Sequence, residues 1–240
     1  MTNRFYIPQL NASQQKIILK DSDILHQIKN VLRLKPGDKL AVFSQTHDIE
    51  LAILDINDNF IAAKKIKSSK KNTQPKATVN LYQSLLKKDK FEWVIQKATE
   101  LGVSKIVPII TEHSIVREIS DNKARRYEKI AIEATEQCGG EKPPEILPAL
   151  SFDDVLKQIK KATGNKIMLW EGEKNRHISS LVGEKNKEWH VIIGPEGGFS
   201  PAEKDKADHH GIILVSLGQR ILRAETAAIA SLSLILLNEN

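Results

Sequence analysis

A chain of 240 residues, 40% hydrophobic and 28% charged, can bury a substantial core and has the composition of an ordinary globular protein. No run approaches the roughly 18 apolar residues of a membrane span, and a lone cysteine, Cys138, excludes an internal disulfide framework. The net charge of +6 is unevenly spread: residues 1–71 carry 12 Lys and Arg against 7 Asp and Glu, a net +5, and the remainder carries 24 against 23.

A basic N-terminal unit beside a near-neutral larger one fits a module that holds a polyanion, most commonly nucleic acid, joined to a working domain. A solvated basic face is the plain alternative. The opening MTNRFYIPQL lacks the cationic and apolar stretches of a secretory signal, so a reducing cytoplasm is the expected location.

In chain order, residues 4–7 and 16–19 form short β-type runs. Ser22 is the expected N-cap of one helix, with Ile24, Ile28, Val31 and Leu32 on one face. A Lys35-Pro36-Gly37-Asp38 turn precedes a strand at 40–43. Ile49, Leu51 and Ile53 then alternate with Glu50 and Ala52, and Asn57-Asp58-Asn59 turns into a strand at 60–66. A β-rich unit of about 70 residues with one helix reads as a small barrel. KSSKKNTQPK (67–76) is polar and free of apolar residues, the expected linker between domains at 1–70 and 71–240.

Beyond it strands alternate with helices. A strand begins at 79–81. Phe91, Val94, Ile95, Ala98 and Leu101 follow at helical spacing and are stopped by Gly102. Residues 105–110 form a strand, Asp121 is the expected cap of a long helix to Cys138, and Ser151 with Asp154 opens another helix. Strands are expected at 167–170, 189–193 and 212–217. The alternation predicts an α/β fold with a parallel sheet covered on both faces.

Ligands of such sheets bind at the carboxyl ends of the strands, and each of the last three strands empties into an unusual loop. These are Glu171-Gly172-Glu173, then GPEGGF (194–199), then GQRILRAE (218–225). Three glycines within five residues permit close backbone approach to a ligand. Ser200, Pro201 and Glu203 then start a helix with a capping box, which holds the loop rigidly. Arg220, Arg223 and Glu225 are either partners of one another or aimed at a ligand. A dinucleotide fingerprint and a P-loop are both absent. The seven histidines lack ligand spacing, so no metal is expected, and Cys138 reads as a packing residue.

IGPEGGFSPAE (193–203) together with LGQRILRAETA (217–227) resembles the signature of the SPOUT-type 16S rRNA uridine-N3 methyltransferases, the RsmE family. RFYIP near the start, HQIKNVLRLKPGD (26–38), FEWVIQKATELGVSKIVPI (91–109) and KIAIEATEQCGG (129–140) are similar to family blocks in the same order. The resemblance implies an N-terminal PUA-like β-barrel and a C-terminal SPOUT-type parallel sheet whose last loops tie a trefoil knot. It also implies S-adenosyl-L-methionine as cofactor and a homodimer joined through the final apolar helix. Its cofactor residues carry over to Leu169, Trp170 and Glu171, to Ile193, Gly194, Pro195, Glu196, Gly197 and Gly198, and to Leu217, Gly218, Ile221, Leu222, Arg223 and Thr226. The sequence departs from the family pattern at His113 and Gly140, where arginine is usual. Both are expected to flank the substrate side rather than the cofactor loops, with Arg117 and Lys142 as nearby replacements.

Methylation of a uracil N3 in 16S rRNA, within an assembled 30S subunit, requires alignment of the reacting atoms and help in losing the N3 proton. Arg223 is the first candidate for stabilising the developing anion and Arg220 the next, with Glu225 orienting an arginine or accepting the proton. Arg4, Arg33, Lys35, Lys64, Lys65, Lys70 and Lys71 are the expected phosphate contacts. A non-catalytic RNA-binding or assembly factor of the same fold, or a methyltransferase acting on another base or on tRNA, are the alternatives.

Overall fold

The computed structural model describes residues 3–69, 73–183 and 188–237. It divides into two compact units, residues 1–73 with 135–142, and residues 74–134 with 143–240.

The first unit is built on five strands: β1 (Arg4–Tyr6), β2 (Lys16–Leu19), β3 (Lys39–Phe43), β4 (Asp48–Ile56) and β5 (Ile61–Ser69), in the order β1-β3-β4-β5-β2. Only the β1–β3 pair is parallel. Alternation turns Ile49, Leu51 and Ile53 of β4 into a core with Phe5, Leu40, Val42 and Ile61. The short helix α1 (Ser22–His26) runs on into a wide turn in which the Leu32 amide donates to the Gln27 carbonyl at 2.9 Å. Its cap is Asp21 rather than Ser22, because the Asp21 carboxylate accepts from the amides of Asp23 and Ile24, both at 3.0 Å. The start of the expected linker is strand instead. Lys67, Ser68 and Ser69 pair with Glu50, Ile49 and Asp48, since backbone pairing on β4 needs no apolar side chains.

The second unit carries a parallel sheet of β6 (Thr78–Ser84), β7 (Lys105–Ile110), β8 (Glu145–Ile146), β9 (Leu150–Ser151), β10 (Asn165–Leu169), β11 (Glu188–Ile193) and β12 (Ile213–Val215). The order is β12-β10-β11-β6-β7-β8, with β9 also on β7. The two-residue strands β8 and β9 carry too little pattern to be visible in the sequence. One face packs on α2 (Lys90–Leu101), α6 (Ala224–Leu236) and, through Tyr127 and Ala131, on α3 (Asp121–Cys138). The other packs on α4 (Phe152–Lys160) and α5 (Pro201–His209). Ser120, not Asp121, caps α3: its hydroxyl accepts from the Lys123 amide and its carbonyl from the Ala124 amide.

Two buried polar groups set the geometry of this sheet. At the amino end of β11, His190 is 4% exposed, its Nε2–H donating to the Thr163 carbonyl (3.2 Å) and its Nδ1 accepting from the Tyr82 hydroxyl (3.4 Å). Burial holds its pKa below 6.5, and burial with the nearby Glu188 pushes Tyr82 up to about 12. At the carboxyl end, the Glu203 carboxylate is 6% exposed and accepts from two amides, Ser200 (3.0 Å) and Glu112 (2.8 Å), while the Ser200 hydroxyl accepts from the Glu203 amide. The capping box therefore also clasps the loop after β7.

Two outcomes follow from these groups. A His held neutral in the fold takes up its proton mainly when unfolded, so stability falls as pH drops through 6.5 toward the folded pKa. In urea unfolding across that range, H190Q is expected to lose less stability than the wild type. Glu203→Ala strands two amides and removes the cap, and is expected to cost about 2–4 kcal/mol in the same assay.

Candidate functional site

A cavity of about 860 Å³ opens at the carboxyl ends of β10, β11 and β12. Its size falls in the roughly 300–1,000 Å³ range of sites that enclose a small organic ligand. The second of its three walls is the glycine loop, the third the segment from Val215 to Ala224, and the first the turn after β10. That turn is organised by Glu173, whose carboxylate accepts from the amides of Asn175 (2.7 Å) and Arg176 (3.0 Å). Those two bonds hold its carboxyl below the ordinary range. The same segment is stitched to the strand-β12 exit, where Ser216 donates to the Arg176 carbonyl and Ile178 to the Ser216 carbonyl.

The glycine loop is fastened from two sides. On one, the Glu196 carboxylate accepts from the Lys87 amide at 3.1 Å. On the other, His113 Nδ1–H donates to the carbonyls of Gly197 (3.0 Å) and Gly198 (3.2 Å). A side chain at residue 197 would bring a Cβ to 3.0 Å from that of His113, and Gly198 sits at φ +67, so both glycines are demanded by the loop.

Most of the residues expected to hold a ligand meet at this cavity: Leu169, Trp170, Glu171, Ile193, Gly194, Pro195, Glu196, Gly198, Leu217, Gly218, Ile221, Leu222 and Arg223, with Arg220 beside them. Three do not. Gly197 turns toward His113 and Thr226 is exposed outside the lining. Glu225 also lies behind the wall, where it pairs with Lys90 at 3.3 Å rather than with an arginine. The placement of His113 is a further correction: it braces the glycine loop itself instead of standing apart from it. Glu173, from the first of the expected loops, lines the cavity as well, and so do Lys90, Asn175 and His177, for which the sequence gives no signal. The spacing of a helix start gives no sign that Lys90 faces a loop about 100 residues away.

The basic candidates divide by what they touch. Arg4 is committed inside the first unit. Its guanidinium lies 4.1 Å from the Phe43 ring centroid and donates to Asp48 (2.9 Å) and to the Gly140 carbonyl (3.3 Å), so it is not a free phosphate contact. Lys65 donates to the Ala12 carbonyl at 2.8 Å, and Arg117 to the Glu112 carbonyl at 2.9 Å. Arg33, Lys35, Lys64 and Lys142 are exposed, and Lys70 and Lys71 lie outside the described residues. Among the described residues there is no metal-ligand cluster and no helix long and apolar enough to cross a membrane.

Comparison with known proteins places this geometry in a family. A family model described as an RNA methyltransferase domain matches residues 72–236. The ribosomal RNA small subunit methyltransferase E of Rickettsia conorii is 36% identical, with 96% of this chain and 93% of that protein aligned. The structure of the Neisseria gonorrhoeae ribosomal RNA small subunit methyltransferase E, bound to S-adenosyl methionine, superposes with a TM-score of 0.87 at 27% identity, covering 97% of this chain and 96% of that one. A Legionella pneumophila protein solved in complex with SAM gives 0.89 at 29% identity, covering 98% and 97%. With the family model spanning the parallel-sheet domain and a relative of this identity spanning nearly the whole chain, the chain belongs to the ribosomal RNA small subunit methyltransferase E family.

Proposed function

We propose that this protein methylates N3 of one uridine in the 16S rRNA of the small ribosomal subunit, using S-adenosyl-L-methionine. The observation that carries the reading is that two of the three cavity walls are the loops that bear the family signature. Relatives solved with S-adenosyl methionine support it independently.

The residues present fit the cofactor. Leu169, Ile193, Leu217 and Leu222 supply an apolar lining, while the glycine loop and the 217–223 segment bring backbone polar groups to its edge. When bound, the cofactor supplies a methyl group already activated on a sulfonium, so covalent help from the protein is not required. What this chain must add is position and charge. Arg223 and Arg220 line the cavity and make no ion pair among the described residues, leaving their guanidiniums free to face a uracil oxygen as the N3 proton departs.

The finer architecture belongs to the same proposal. The first unit acts as a PUA-like barrel that holds RNA through exposed cations such as Arg33, Lys35 and Lys64. The pairing of Ser216 with the backbone of Arg176 and Ile178, with β10 between β11 and β12, supports a trefoil knot. Exposed Leu234 and Leu237 on and after α6 support a homodimer interface there. The setting is a 30S subunit in the cytoplasm.

The direct test incubates the protein with labelled S-adenosyl-L-methionine and 30S subunits lacking the modification, then locates the methyl group by mass spectrometry. One N3-methyluridine in 16S rRNA is expected; transfer to no small-subunit uridine overturns the reading. R223A is expected to lose about 100-fold or more in rate, as for removal of one transition-state donor, with its fold retained by circular dichroism. H113A frees the glycine loop and is expected to weaken cofactor binding about tenfold by calorimetry, at a cost near one charge-neutral hydrogen bond, and H113N is expected to restore it.

A further inference from the structure

Lys90 is the cavity cation that the loops do not account for. It opens α2, just past the carboxyl end of β6, and reaches the cavity from outside both signature loops. Its Nζ lies 3.3 Å from Glu225 and 3.8 Å from Glu196, one acid from each loop. Glu196 is itself fixed by the Lys87 amide, and the second carboxylate oxygen of Glu225 is buried with no hydrogen-bond partner. The ammonium is thus held in place while its side chain stays 34% exposed toward the cavity. Arg220 and Arg223, by contrast, are exposed and must be ordered at the moment of use.

Lys90 comes to the cavity from a different part of the sheet than the two loops it touches. Strands β6 and β11 are neighbours that follow one another in the sheet but not in the chain, and at this switch point the strand order reverses. The cofactor walls stand over β10, β11 and β12, and Lys90 stands over β6. A fixed charge at the place where charge develops needs no reorganisation during reaction, which is the condition for strong electrostatic catalysis.

We propose that Lys90 is a catalytic residue on the acceptor side, its ammonium set against a uracil oxygen to carry the negative charge that appears as N3 ionises. The inference rests on the methyltransferase reading given above. The N3–H bond breaks with its proton passing to solvent water. The nitrogen pair so freed forms the bond to the methyl carbon, and the methyl–sulfur pair stays on sulfur. An anion and a sulfonium thereby give two neutral centres.

The test measures rate against pH for wild type, K90Q and K90R on unmethylated 30S subunits, with calorimetry of S-adenosylhomocysteine on each. K90Q is expected to lose clearly more in rate than in S-adenosylhomocysteine affinity, with its rate profile displaced upward by about one pH unit, or about tenfold slower where N3 ionisation limits the rate. K90R keeps the charge and is expected to follow the wild type. Should K90Q unfold by circular dichroism, K90M, which keeps the stem without the charge, is expected to give the same displacement. An unshifted profile, or a loss of rate no larger than the loss of S-adenosylhomocysteine affinity, overturns the role of Lys90 and leaves methylation standing. A wild type that binds S-adenosylhomocysteine yet methylates no small-subunit uridine overturns the methyltransferase reading, and the role of Lys90 with it.

Discussion

The buried carboxylate of Glu203 is the constraint on which the ligand cavity depends. Its two oxygens accept from amides that belong to different parts of the second unit, Ser200 at the end of the glycine loop and Glu112 after β7. A carboxylate at 6% exposure is costly unless its lone pairs are filled, and here they are filled by backbone groups that would otherwise be orphaned. The glycine loop is consequently rich in the most permissive residue and still fixed in position. Pro201 and the capping box stop the helix from unwinding into it. His113 and the Lys87 amide then secure the loop from either side.

With the backbone fixed, the chemistry is a matter of which cations are held and which are free. Lys90 is anchored by Glu225 and Glu196, and Arg4 is absorbed by Asp48, the Phe43 ring and the Gly140 carbonyl. Arg220 and Arg223 are left exposed at the cavity. Sequence position does not separate these roles. Arg4 and Arg33 look alike on paper, yet one is an internal strut and the other is solvated.

Much of this was legible in the residues. The alternation of β4, the helical spacing of α2 and the capping signals of α4 and α5 are local patterns, and they form as their chemistry dictates. The two principal cavity walls follow from strand-end logic and glycine density. What escaped was one local competition between neighbouring caps and several contacts across the fold. Asp21 outcompetes Ser22 as a cap because its carboxylate reaches two amides at once. Residues 67–69 become strand because β4 offers them a partner, although their side chains suggest a linker. Lys90 and His113 reach the site through contacts across the fold, which no window of sequence contains.

The strand order has a consequence for how the molecule comes into being. Strand β6 is made early, but its neighbour β11 lies more than 100 residues further along the chain. During synthesis one flank of β6 therefore waits, unpaired, until more than 100 further residues have emerged. Among the described residues, every one that lines the cavity except Lys90 lies between 169 and 227. Closing a sheet across so long a separation is slow compared with local helix formation. The ligand-binding end is thus the last region to be assembled, and a truncated or stalled chain would have most of its strands and none of its pocket.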